Sequence, residues 1–77
     1  MAKYIITENQ LGLPCAIVFS EALSHKDVAG NMKVLSAGFY GEVDSFTKQK
    51  HVYGYSESLN IASKPNDHQY IELALSH

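Results

Sequence analysis

The sequence predicts a small α+β domain in ββαββα order, mostly antiparallel sheet, with a short helix and a C-terminal amphipathic helix packed on one face. Three observations lead there. β-type sequence rich in small residues fills the stretch from Lys33 to Ile61. A change of period between Ser20 and Asn31 separates it from two earlier β-type runs. Pro65 and Asp67 then open a helical pattern at the C-terminus.

Tyr4-Ile5-Ile6-Thr7-Glu8 reads as the first strand by its β-branched content. Asn9 to Pro14 is a loop, punctuated by Gly12 and Pro14. Cys15 to Phe19 is an unbroken apolar run, which predicts an interior strand covered on both faces. Ser24 can cap a helix, with Asp27 in its first turn, and Gly30-Asn31 supplies a left-handed stop. The helix predicted is Ser24 to Ala29, and a longer one from Ser20 is the alternative.

The third strand runs from Met32 to about Asp44. By the two-residue repeat, Leu35, Ala37, Phe39, Gly41 and Val43 share the better core face, and Val34, Ser36, Gly38, Tyr40 and Glu42 the other. Gly38 and Gly41 allow a bend or bulge. Residues 45–50 contain the turn, and His51 to Leu59 is the fourth strand, with Tyr53 and Tyr55 on one face. In the last helix Ser63 or Lys64 is the cap, Pro65 lies in the first turn, and Asp67 complements the helix dipole. Ile71, Ala74 and Leu75 should face the sheet, with Asp67, Gln69, Glu72 and Ser76 mainly outside.

A chain of 77 residues is one domain, 1–77, with a marginal core. Disulfides, a metal or oligomerisation usually supplement such a core. Cys15 is the only cysteine, so no bond can form within the chain, and one between two copies is not favoured. A homo-oligomer is the expected supplement. No stretch approaches the ~20 apolar residues that span a bilayer, so no membrane partner is expected. Met1 to Tyr4 lacks the apolar block of a secretory signal, which with a single free thiol points to the cytoplasm. The net charge is −2, and all six basic residues are lysines. Nucleic acid is therefore a disfavoured partner. Lys48, Lys50 and His51 form the one local basic cluster, read as a solvated hairpin tip.

Cys15 with a histidine could form a thiolate pair, but its place at the head of an apolar run reads as a small buried hydrophobe. His25 with Asp27, and Asp67 with His68, lack the three or four converging ligands of a metal site. No metal, cofactor or catalytic residue is predicted. His25 reads as a helix-start residue, and His77 as a frayed terminus. The glycines of residues 37–41 lack the lysine and helix of a phosphate loop and mark a close approach, by a ligand or another subunit. Ser36, Tyr40, Ser56 and Ser58 could share one side of strands three and four, bordered by Ser24, His25, Lys26 and Asp27. Ser24, His25, Lys26, Ser36, Tyr40, Ser56 and Ser58 are thus the candidate ligand-binding residues, for a small anionic ligand. The plainer reading of that surface is a hydrated outer sheet face. Tyr40, Tyr53 and Tyr55 are candidate interface anchors, since tyrosine is enriched at interfaces.

Ser24-His25-Lys26-Asp27-Val28, Ser36-Ala37-Gly38-Phe39, and Ser56-Glu57-Ser58-Leu59 followed by Ser63-Lys64-Pro65-Asn66-Asp67 carry a resemblance. Over residues 15–73 the chain resembles a group of small uncharacterised proteins encoded by phages and prophages of proteobacteria. Where the group usually has Arg-Pro before the last helix, this chain has Lys64-Pro65, which keeps the charge and loses the fork geometry. The resemblance implies a phage setting inside a host cytoplasm and carries no activity to transfer.

Three functions remain in play. The first is a non-enzymatic binding protein acting as a homo-oligomer, a host-interaction or counter-defence factor. The second is a module that sequesters a small anionic, nucleotide-like ligand. The weakest is a hydrolase using Cys15 or a serine with a histidine, because a triad needs an oriented base in a prebuilt pocket.

Overall fold

The computed structural model describes residues 2–44 and 49–76. The elements are β1 (Ala2–Glu8), β2 (Pro14–Ser20), α1 (His25–Ala29), β3 (Val34–Asp44), β4 (Gln49–Tyr53), β5 (Tyr55–Ser56), β6 (Ile61–Ala62) and α2 (Asp67–Leu75). The centre of the expected turn, the lysine cluster's side chains and His77 lie outside the described residues. The α+β class holds, with β1 to β4 forming an antiparallel sheet in the order β2-β1-β3-β4 and β5 and β6 a second, two-stranded sheet.

The interior strand is β1, not β2. Tyr4, Ile5, Ile6 and Thr7 are all buried, because β1 has a strand on each side and cover on both faces. The apolar run in β2 lies at the sheet edge, where Ala16 to Phe19 are half-buried. Two clusters sandwich the sheet. On one face Tyr4, Ile6 and Tyr40 pack with Ile71 of α2, joined by Ala16, Val18, Leu35, Val52 and Tyr70. On the other, Ile5 and Ala37 pack with Ala29 of α1, joined by Ile17, Phe19, Val34, Leu59 and Ile61. The expected wet face is therefore covered.

The expected faces of β3 hold from Ser36 to Tyr40, with Ser36 and Tyr40 on one side and Ala37 and Phe39 on the other, but Val34 and Leu35 exchange places for a local reason. Ile6 pairs with Ser36 and Thr7 with Val34, so Leu35 is an extra residue in β3. A bulge of this kind breaks the two-residue alternation. Leu35 consequently joins Tyr40 on the α2 side, while Ala37 faces α1.

The short helix forms as its sequence signals require. Ser24 Oγ accepts from Asp27 N–H at 3.0 Å, and Gly30, at φ +54, closes the other end through its N–H to Lys26 O at 3.0 Å. The fourth strand is shorter than expected. Gly54, at φ +76, turns the chain out of the sheet after Tyr53, and β5 then pairs with β6. Ser63 ties that turn down, donating to Gly54 O from its N–H at 3.0 Å and from Oγ at 2.8 Å. A Cβ on Gly38 would stand 2.6 Å from Tyr53 O and 2.9 Å from Ser63 Cβ. The close approach that the small residues permit is thus made by the chain's own strand end and crossing segment.

The N-cap of α2 is Asn66, not Ser63 or Lys64, and its side chain makes no capping bond; the chain is instead closed by a turn on the Asp67 carboxylate. Lys64 N–H donates to Asp67 Oδ2 at 2.9 Å, and Asp67 N–H to Lys64 O at 3.0 Å. The face that packs on the sheet differs from expectation. Asp67 and Ile71 are buried, whereas Ala74 is exposed and Leu75 is 57% exposed. No helix among the described residues is long and apolar enough to cross a membrane.

Candidate ligand-binding cavity

Strand register builds one row of side chains across the sheet. Phe19 of β2 pairs with Lys3 of β1, Lys3 with Phe39 of β3, and Phe39 with Tyr53 of β4. Phe39 and Tyr53 stack, with centroids 5.8 Å apart and planes 22° apart. α1 sets His25 over this row, edge-on to Phe19 at 5.6 Å and to Phe39 at 5.7 Å. His25 Nε2 lies 2.8 Å from Gly38 O. A carbonyl only accepts, so Nε2 carries the hydrogen, and in the neutral ring Nδ1 is the acceptor.

Beside this imidazole is a cavity of about 420 Å³. Lys3, Phe39 and Tyr53 come from the strands, Ser24 and His25 from the start of α1, and Gly54, Tyr55, Glu57 and Ser58 from the segment after β4. Its size and its mixture of aromatic walls with a few polar groups are those of small-molecule sites. Lys3 Nζ donates to Leu23 O at 2.9 Å, which fixes the ammonium and leaves two N–H groups. Glu57 makes no hydrogen bond or ion pair among the described residues. Lys26 N–H donates to Ser58 Oγ at 3.2 Å, and Ser58 Oγ lies 3.3 Å from Ser56 Oγ. These bonds fasten α1 to the turn after β5 and fix the width of the cavity.

The candidate residues divide between two faces. Ser24, His25 and Ser58 line the cavity. Lys26 contributes its backbone N–H to Ser58, and Ser56 is a buried support, accepting from Leu59 N–H at 3.2 Å. Ser36 and Tyr40 belong to the opposite face. Ser36 Oγ donates to Asp67 Oδ1 at 2.8 Å, and Tyr40 packs in the α2-side core. Burial there pushes the Tyr40 phenol pKa up, and the charge of Glu72 adds to it. Tyr40 is therefore no interface anchor, Tyr53 is stacked and half-buried, and Tyr55 is 53% exposed. Lys3, Phe39 and Glu57 were missed as site residues. Only cross-strand register joins the first two, and no local pattern in the sequence states it.

Cys15 is exposed rather than buried, since it sits on the edge strand. It is four residues along β2 from Phe19, which His25 touches. That is about 13 Å of strand, so thiol and imidazole do not meet. Among the described residues no three His, Cys, Asp or Glu side chains are grouped as a metal ion would require.

A second cavity, of about 390 Å³, lies at the start of α2 beside Ser36, Asp67 and Tyr70. Its carboxylate is already engaged. Asp67 accepts from Tyr4 OH at 2.5 Å, Ser36 Oγ at 2.8 Å and Lys64 N–H at 2.9 Å. Burial, then the bond to Asp67 and its charge, raises the Tyr4 phenol pKa far above its usual value. This cluster holds α2 to the sheet, whereas Lys3, His25 and Glu57 keep bonding capacity for a ligand. Comparison with protein-family models, curated proteins and solved structures finds no match.

Proposed function

We propose that this chain is a non-enzymatic binding protein whose cavity beside His25 holds a small, flat, anionic, nucleotide-like ligand. One observation carries the reading: polar groups with unused bonding capacity stand beside the rings of Phe39, Tyr53 and Tyr55 around about 420 Å³. Stacking on an aromatic face contributes about 1–3 kcal/mol per base. Lys3 supplies a cation and the hydroxyls of Ser24 and Ser58 supply donors. The sequence resemblance supports a phage setting and no particular activity, and sequestration is the form of counter-defence that the cavity favours.

Titration calorimetry of the full chain with individual ribonucleotides tests the reading. Saturable binding at one site per chain is expected, weakened about tenfold or more by Tyr55→Ala. Bound ligand at a hundred times its dissociation constant should add about 2.7 kcal/mol of stability. Absence of saturable binding for every ribonucleotide would overturn the proposal.

A homo-oligomer is the second reading, and β2 favours it. This edge strand has no charged residue between Pro14 and Ser20. Leu11, Leu13 and Leu23, at 82%, 56% and 48% exposure, flank it. An uncharged edge strand is a template for pairing with another chain.

A further inference from the structure

Accepting the cavity as a ligand site, we infer that it selects a ring carrying the 2-amino-4-oxo-pyrimidine edge shared by guanine and pterins, with an anionic substituent held by Lys3. The inference rests on the charges that face the cavity. A plain anion would meet Lys3 favourably and Glu57 unfavourably, and a plain cation the reverse. A ligand suited to both must present hydrogen-bond donors to the carboxylate and negative charge to the ammonium.

Glu57 has no partner among the described residues and, when ionised, only accepts. His25 has Nε2–H committed to Gly38 O, so its other ring nitrogen, Nδ1, is a second acceptor whenever the ring carries one proton. Two acceptors on the protein call for a donor-rich ring. Guanine has a ring N–H and an amino group side by side, which matches the two oxygens of a carboxylate. Adenine sets its amino group beside a ring acceptor, and uracil flanks its ring N–H with carbonyl oxygens that a carboxylate repels. Hypoxanthine keeps the ring N–H and lacks the amino group. The rings of Tyr53 and Tyr55 suit any flat base, so the choice among bases falls to Glu57.

The test is calorimetric titration of the full chain with the 5′-monophosphates of guanosine, inosine and adenosine, and with pterin-6-carboxylate. Guanosine monophosphate should bind about tenfold or more tightly than the inosine and adenosine compounds, the usual order for a lost bidentate contact. Glu57→Gln should remove that preference and leave adenosine monophosphate binding little changed. Circular dichroism of the variant checks that it folds, as expected for an exposed side chain. Tighter binding of the pterin than of guanosine monophosphate would keep the edge recognition and name the other source of it. Equal affinities for the three nucleotides, or a preference that survives Glu57→Gln, would overturn the inference while the cavity reading stands. No binding by any of the four compounds would overturn this inference, and failure of the remaining ribonucleotides as well would overturn the cavity reading.

Discussion

Replacing Asp67 by alanine would strip three donors of their shared acceptor: Tyr4 OH, Ser36 Oγ and Lys64 N–H. Two of them are hydroxyls of buried residues. Each buried group left unpaired costs about 1–3 kcal/mol, so Asp67→Ala should lose about 3 kcal/mol or more in urea denaturation. Ser36→Ala, which leaves Asp67 two donors, should cost about 1 kcal/mol. The buried phenols add a pH dependence. The Tyr4 and Tyr40 pKa values are raised above the ordinary 10.0, so their contribution is complete below that pH. Above it the unfolded chain releases protons that the folded chain retains, and stability falls. A denaturation midpoint that declines above about pH 10, with a shallower decline in Tyr4→Phe, is the expected result. Local sequence identifies Asp67 as an acid of the first helical turn, because Pro65 and the helical period after it are local, although the cap falls on Asn66 and not on Ser63 or Lys64. It hides the burial, because the phenol that meets the carboxylate is 63 residues away.

Elements whose signals lie within a few residues were legible: α1 with its Ser24 and Gly30 caps, and the strands as β-type runs. What depended on pairing was not. The extra residue Leu35 exchanged the faces of Val34 and Leu35, and Gly54 split the fourth strand and carried Ser56 and Ser58 away from Ser36 and Tyr40, so the expected hydroxyl face came apart. A two-residue repeat cannot register a bulge, because one extra residue exchanges the faces beyond it. Strand order was equally hidden, and it makes β2 an edge. If that edge pairs two copies, light scattering should give a dimer or larger assembly. Leu11→Lys with Leu13→Lys should then release monomers without lowering the melting temperature, since both side chains are exposed in the turn before β2. A monomeric wild-type chain at high concentration would remove that proposal.

In the molecule as a whole, the sheet separates two jobs. The α2 face carries the Asp67 cluster and Ile71, where buried polar groups are satisfied internally. The opposite face carries α1, the β5–β6 hairpin and the cavity, where Lys3 and Glu57 retain bonding capacity. Small size and the absence of a local catalytic pattern led the sequence reading to binding rather than chemistry. The position of the cavity was beyond it, because Lys3, His25, Tyr53 and Glu57 meet only through tertiary structure. The most direct measurement is a two-dimensional amide-shift titration of the labelled full chain with guanosine monophosphate. Saturating shifts confined to residues around Lys3, His25, Phe39, Gly54 and Ser58, with Ser36, Asp67 and Ile71 unmoved, are the predicted result. Shifts centred on Asp67 and Ile71, or none at all, would contradict it.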